Sequence, residues 1–157
     1  MTYSAKSIGE LVEGLRRRKN TIVFTNGVFD ILHYGHVDYL AKAKALGDIL
    51  IVGLNSDASV RKFKSAGRPY QTDIDRARIL TELRSVDYVI RFDEETPARL
   101  IEMVKPDILV KGADYKISEI VGAEFVKSYG GKVKRIKLNP GRSTTDIVRK
   151  IQKTKKK

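Results

Sequence analysis

The sequence has no cysteine at all. A disulfide framework, a zinc–thiolate site and a cysteine nucleophile are therefore excluded. Histidine is nearly as scarce: His33 and His36 are the only two in 157 residues. No apolar run approaches the ~20 residues that cross a bilayer. Residues Met1 to Lys19 are polar and lack the apolar stretch of a secretory leader, so a cytoplasmic protein without membrane association is expected. Internal repeats, low-complexity tracts and Gly/Ser/Pro-rich linkers are missing too. The expectation is one domain over residues 1–152, followed by a frayed basic tail over 153–157.

What is present fits a soluble globular domain. Hydrophobic residues make up 41% and charged residues 32%, and 157 residues can bury a core without covalent staples. The net charge of +12 is unevenly spread. From Lys132 to Lys157 there are 11 Lys/Arg and one acid, Asp146, whereas the preceding residues hold 20 Lys/Arg against 18 acids. A nucleic-acid surface would need a basic patch on the folded body. Here the body is nearly balanced and the excess sits at one end, which reads first as a solvated terminus.

Five short apolar runs punctuate the chain: Thr21–Thr25, Asp48–Asn55, Tyr88–Phe92, Ile108–Lys111 and Lys132–Leu138. The second is nearly continuous in apolar residues, as a central parallel strand buried on both faces requires. The fifth alternates lysine with valine, which suits an edge strand. Helical spacing lies between the runs. Val37, Leu40 and Ala41 form one stripe; Ile74, Ala77, Leu80 and Leu83 form another within Asp73–Arg84. Thr96 reads as an N-cap with Pro97 at the first helical position. A helix is expected from Ser118 to just before Gly130-Gly131, and a last one capped by Ser143. Strands alternating with helices imply βαβ units and an α/β fold: a Rossmann-like, doubly wound, five-stranded parallel sheet. Ligands of such sheets bind beyond the carboxyl ends of the strands.

The residues after each run are therefore the ones to inspect. After the first come Asn26-Gly27-Val28-Phe29-Asp30-Ile31-Leu32-His33-Tyr34-Gly35-His36. Both histidines lie where a helix begins, and a helix start offers free N–H groups and partial positive charge to phosphate. Two imidazoles there can stabilise charge building on a leaving pyrophosphate. Gly27 and Gly35 would let the backbone approach a nucleotide. His-x-x-His could also hold a metal with Asp30, but no further protein ligand is obvious, so no dedicated metal site is expected. After the second run, Asn55-Ser56-Asp57 is either a helix cap or a ligand contact. The basic stretch from Arg61 through Lys64 to Arg68 is either a solvated loop or a cover for phosphates. After the fourth run, Lys111, Gly112, Asp114 and Tyr115 combine a cation, a glycine and a carboxylate. After the fifth, Arg142-Ser143-Thr144-Thr145 opens a helix with three hydroxyls, and Asp146 could complete a capping box with Ser143.

The Asn26–His36 segment resembles the cytidylyltransferase-like nucleotidyltransferases, whose hallmark is a His-x-Gly-His loop. Arg142–Thr145 resembles that superfamily's second hallmark. Within it, the string from Thr25 to His33, together with Asn55–Ser59, Gly67–Pro69, Leu109–Gly112, Asp114-Tyr115 and Ser143–Thr145, is similar to the adenylyltransferase domain of bacterial ADP-heptose synthases, over about residues 8–152. The sequence departs from that pattern at Ile74, Ala113 and Arg142.

The resemblance implies transfer of AMP from ATP, with Mg²⁺, to D-glycero-β-D-manno-heptose 1-phosphate. It implies that His33, His36 and Lys64 are catalytic. It assigns the nucleotide to Thr25, Asn26, Gly27, Val28, Phe29, Gly35, Lys111, Gly112, Asp114, Tyr115, Arg142, Ser143, Thr144 and Thr145, and the acceptor to Asp30, Asn55, Asp57, Arg61 and Arg68. It also implies a homodimer and a separate heptose kinase. Two rival expectations stand. One is a CTP-dependent transferase acting on glycerol 3-phosphate or a phosphorylated amino alcohol. The other is a non-enzymatic nucleotide- or RNA-binding module, whose binding would weaken steeply with salt.

Overall fold

The computed structural model describes residues 5–64, 66–137, 141 and 143–154. Its elements are α1 (Ala5–Arg17), β1 (Ile22–Gly27), α2 (Tyr34–Lys44), β2 (Ile49–Asn55), α3 (Asp57–Phe63), α4 (Asp73–Thr81), β3 (Tyr88–Phe92), α5 (Ala98–Val104), β4 (Ile108–Gly112), α6 (Ala123–Ser128), β5 (Lys132–Ile136) and α7 (Thr144–Thr154). The strands form one parallel sheet in the order β3-β2-β1-β4-β5, so the expected Rossmann-like α/β sheet is present. β1 lies at its centre, with Ile22 opposite Ile49 and Gly27 opposite Leu54.

Alternating strand residues feed two cores, because successive side chains point to opposite faces. On one face Ile22, Phe24, Ile51 and Ile90 pack with Ile8, Val12 and Leu15 of α1 and with Leu100, Ile101 and Val104 of α5. On the other, Val23, Leu50, Val52 and Leu54 pack with Tyr39, Leu40 and Ala43 of α2 and Leu80 of α4. Fully burying each large aliphatic side chain stabilises the fold by ~1.5–3 kcal/mol. At Gly53 a Cβ would stand 2.7 Å from Phe24 Cζ, so only glycine lets β2 lie against that ring. From Leu50 onward β2 is buried throughout, as its apolar run requires, while Lys132, Lys134 and Arg135 of the edge strand β5 are exposed.

Several elements differ from the sequence reading. Helix α1 was not expected, because charge dominates its average; yet Ile8, Leu11, Val12 and Leu15 follow an i, i+3, i+4, i+7 spacing and pack on the core. The helix expected from Ser118 is instead a 3₁₀ turn over Ile117–Glu119, and α6 starts only at Ala123, after Gly122 at φ +83° breaks the path. Pro97 rather than Thr96 occupies the cap of α5, since Ile101 N–H donates to the Pro97 carbonyl. Helix α7 continues through Thr154, past the boundary expected at 152; Lys155 to Lys157 lie outside the described residues.

Candidate active site

The loop after β1 is strained. Phe29 and Ile31 hold φ of 47° and 38°, a region that residues with a Cβ adopt only when their surroundings enforce it. Those surroundings are identifiable. The Arg76 guanidinium donates to the Val28 carbonyl at 2.6 Å. The Asp30 carboxylate accepts from Arg68 at 2.6 Å, from Tyr70 N–H at 3.0 Å and from Gln71 N–H at 3.1 Å. The Asp30 carbonyl accepts from Thr144 Oγ1 at 2.9 Å. One short loop is thus clamped to the 68–71 segment, to α4 and to the start of α7.

The clamp delivers the two histidines. His33 is the N-cap of α2 and His36 lies in its first turn. Their rings stack with centroids 3.8 Å apart and planes at 20°, and Phe29 meets His36 edge-on at 5.3 Å. Burial pushes the His36 pKa down to about 4, reinforced by His33 and opposed by Asp30. Burial also lowers His33, with Asp146 opposing. Both rings are therefore neutral at pH 7. Nδ1 of each is buried without a hydrogen-bond partner among the described residues. An unpaired lone pair costs less there than an unpaired N–H, which leaves the proton on Nε2 as the donor a ligand can meet.

A cavity of about 570 Å³ opens at the carboxyl ends of the strands. From the first loop Asn26, Gly27, Val28, Phe29, Asp30, His33, Gly35 and His36 line it. Asn55, Lys64 and Arg68 line it on the β2 side; Lys111, Gly112, Asp114, Tyr115, Ser143, Thr144 and Thr145 line it on the β4–β5 side. Burial pushes Lys111 down to about 8, with Asp114 opposing; its Nζ donates to the Asn26 carbonyl at 3.1 Å and lies 5.4 Å from the Tyr115 ring centre. Lys64 has no carboxylate partner among the described residues and sits 5.9 Å from the Phe63 ring centre.

Other residues singled out from the sequence are engaged elsewhere. Thr25 does not line the cavity; its buried hydroxyl bonds Tyr39 Oη at 2.7 Å. Asp57 also lies off the cavity, paired with Arg76 at 2.7 Å. Arg61 is exposed on α3 and does not line it either. Arg142 lies outside the described residues. Asp30 lines the cavity, but its carboxylate is taken up by the clamp. Ser143 caps α7, its hydroxyl accepting from Asp146 N–H at 3.1 Å and donating to the Asp146 carboxylate at 2.6 Å, a side-chain pairing in place of the reciprocal backbone bond of the expected capping box. Only Thr145 of the three hydroxyls lacks a partner among the described residues.

The sequence reading passed over five lining residues: Tyr39, Val60, Phe63, Glu95 and Pro97. Glu95 follows the third apolar run, so the same strand-end rule points to it. It also passed over Arg76, whose side chain is fully buried. An arginine within a helical stretch ordinarily signals a solvent face, so no local cue marked it. No group of three or more His, Asp or Glu side chains among the described residues could cage a metal.

The family described as cytidylyltransferase-like matches residues 24–150. The chain belongs to this family. It is a nucleotidyltransferase, and the resemblance read from the His loop is borne out. Bifunctional protein HldE of Syntrophotalea carbinolica is 53% identical over 146 residues, covering 93% of this chain and 30% of that protein. HldE of Wolinella succinogenes is 56% identical over 149 residues, covering 95% and 31%. The chain thus spans under a third of the length of these relatives. Among solved structures, a lipopolysaccharide core biosynthesis protein from Thermoplasma volcanium is 33% identical with a TM-score of 0.62, covering 76% of this chain and 97% of that one. A pantothenate synthetase from Thermus thermophilus, 17% identical with a TM-score of 0.58 and covering 83% and 59%, shares the fold alone.

Proposed function

We propose that the chain transfers the adenylyl group of ATP to D-glycero-β-D-manno-heptose 1-phosphate, releasing ADP-heptose and pyrophosphate. The observation that carries this reading is the stacked His33–His36 pair on the central strand's loop, facing a cavity that runs to both sides of it. The heptose acceptor is supported by the resemblance to ADP-heptose synthase domains and by more than 50% identity to HldE proteins along 93% of the chain.

The chemistry is an in-line displacement. An oxygen of the sugar phosphate forms a bond to the α-phosphorus of ATP, and the bond from that phosphorus to the bridging oxygen breaks with pyrophosphate leaving. No protein base is needed, because a phosphate monoester is largely dianionic at neutral pH, its second pKa being about 6. Positioning and charge neutralisation do the remaining work. Neutral His33 and His36 donate to phosphate oxygens as charge builds. Lys64 closes from the β2 side. Thr145 and the N–H groups opening α7 hold the β- and γ-phosphates, and Lys111 with Asp114 and Tyr115 lines the nucleotide half. Asn55 and Arg68 face the acceptor. Magnesium supplies charge neutralisation when bound; with Asp30 taken up by its clamp, it would ride on phosphate oxygens rather than in a protein cage. The homodimer and the heptose kinase that makes the acceptor, both implied by the resemblance, belong to this proposal.

Pyrophosphate release tests it. ATP and CTP are each offered with heptose 1-phosphate, glycerol 3-phosphate and phosphoethanolamine. ATP with heptose 1-phosphate should dominate; a dominant CTP signal overturns the assignment.

A further inference from the structure

The loop after β3 presents one carboxylate to the cavity that no described residue engages. Its neighbours are occupied. Glu94 faces Arg99 at 3.6 Å and accepts from Asp93 N–H at 3.2 Å, and its carbonyl accepts from Ser59 Oγ at 2.8 Å. Ser59 Oγ in turn accepts from Asn55 Nδ2 at 3.0 Å, so the loop is tied to the end of β2. Pro97 is buried and caps α5. Between these anchors Glu95 lines the cavity, exposed, with no hydrogen bond or ion pair among the described residues.

An unneutralised carboxylate is unexpected in a site for two phosphorylated substrates. It accepts hydrogen bonds and donates none, so it repels phosphate and attracts hydroxyls. It lies on the β2–β3 side, opposite the nucleotide half at β4–β5. The cations Lys64 and Arg68 line the same cavity, and Val60, Phe63 and Pro97 give it an apolar wall. An acceptor lying against that wall would turn its phosphate to the cations and its hydroxyl end to Glu95 and Asn55. A quaternary ammonium headgroup fits less well, because its readers surround it with aromatic rings, whereas here the single wall aromatic, Phe63, already has Lys64 beside it. A primary ammonium can pair with a carboxylate, so phosphoethanolamine is the competing acceptor in the test.

We propose that Glu95 is the residue by which this site selects a polyhydroxylated acceptor, accepting hydrogen bonds from sugar hydroxyls distant from the reacting phosphate. The proposal rests on the sugar-phosphate acceptor proposed above. The test is steady-state kinetics of wild type, Glu95→Ala and Glu95→Gln with ATP and heptose 1-phosphate, and with glycerol 3-phosphate as the shorter acceptor. Losing a charge-assisted hydrogen bond should raise the KM for heptose 1-phosphate in Glu95→Ala about 10- to 100-fold. Glu95→Gln keeps an accepting oxygen and should show a smaller rise. The KM for ATP should stay within twofold, the penalty should shrink on glycerol 3-phosphate, and both variants should melt with wild type. An acceptor KM unchanged in both variants, or an ATP KM that rises in step, overturns the role of Glu95 while leaving the reaction standing. A wild-type enzyme that turns over phosphoethanolamine but no sugar phosphate overturns both.

Discussion

Replacing Arg76 by methionine is the most severe single test of how this site is held. The guanidinium donates from Nε to the Gln71 carbonyl at 3.0 Å, from one terminal nitrogen to the carbonyls of Val28 at 2.6 Å and Asn55 at 2.9 Å, and from the other to Asp57 at 2.7 Å. Its side chain is fully buried, whereas that of Asp57 is 24% exposed. Methionine fills similar volume, so the packing loss is small. Three carbonyls lose their donor, while Asp57 can rehydrate. Each buried group left unpaired costs ~1–3 kcal/mol, and breaking a buried charged network typically costs ~3–5 kcal/mol in all. Against a domain stability of ~5–15 kcal/mol that is a large fraction. At ~2–4 °C per kcal/mol for a domain of this size, the melting temperature should fall by ~6–20 °C. Arg76→Lys should fall between the two, since an ammonium cannot span four acceptors. Thermal and urea unfolding followed by circular dichroism measure both. Because Val28 opens the strained loop, enzyme that remains folded should also lose kcat. A methionine variant melting within ~3 °C of wild type would refute the hub role.

Three further outcomes follow from the same geometry. Asp30→Asn removes the charge that holds Arg68 and the N–H groups of Tyr70 and Gln71, and at ~1.5–3 kcal/mol for a hydrogen bond to a charged group those two amides should exchange hydrogen at least tenfold faster; unchanged protection would show the clamp is not what orders the segment. His36→Ala should keep the fold and lose ~10²–10³ in kcat, the cost of one transition-state donor, and near-normal turnover would defeat the assigned chemistry. Acid sensitivity should also trace to His36, whose pKa is about 4 in the fold against 6.5 when unfolded. The unfolded chain takes up its proton first, so stability is retained above pH 6.5 and lost as pH falls from there toward 4. The urea midpoint of His36→Ala should depend less on pH across that window than that of wild type; equal slopes would assign the acid sensitivity elsewhere.

The sequence by itself determined the features that depend on neighbouring residues. The five apolar runs carry their own periodicity and become β1 to β5, and the continuous run of β2 requires burial on both faces. Histidines confined to one strand-to-helix loop pointed to the cavity, and the rule that strand ends face it made the lining residues Lys111 and Thr145 legible too. The tertiary structure alone decided how side chains far apart in sequence divide their hydrogen bonds. Asp30 meets Arg68 across 38 residues and Arg76 meets Val28 across 48, pairings that no local pattern encodes. Those distant bonds turn Asp30 and Asp57 into supports and tie Thr25 to Tyr39, while Glu95 is left with none among the described residues. Periodicity records which face of an element is apolar. Which polar atoms remain free for a ligand is fixed only when the whole chain has met.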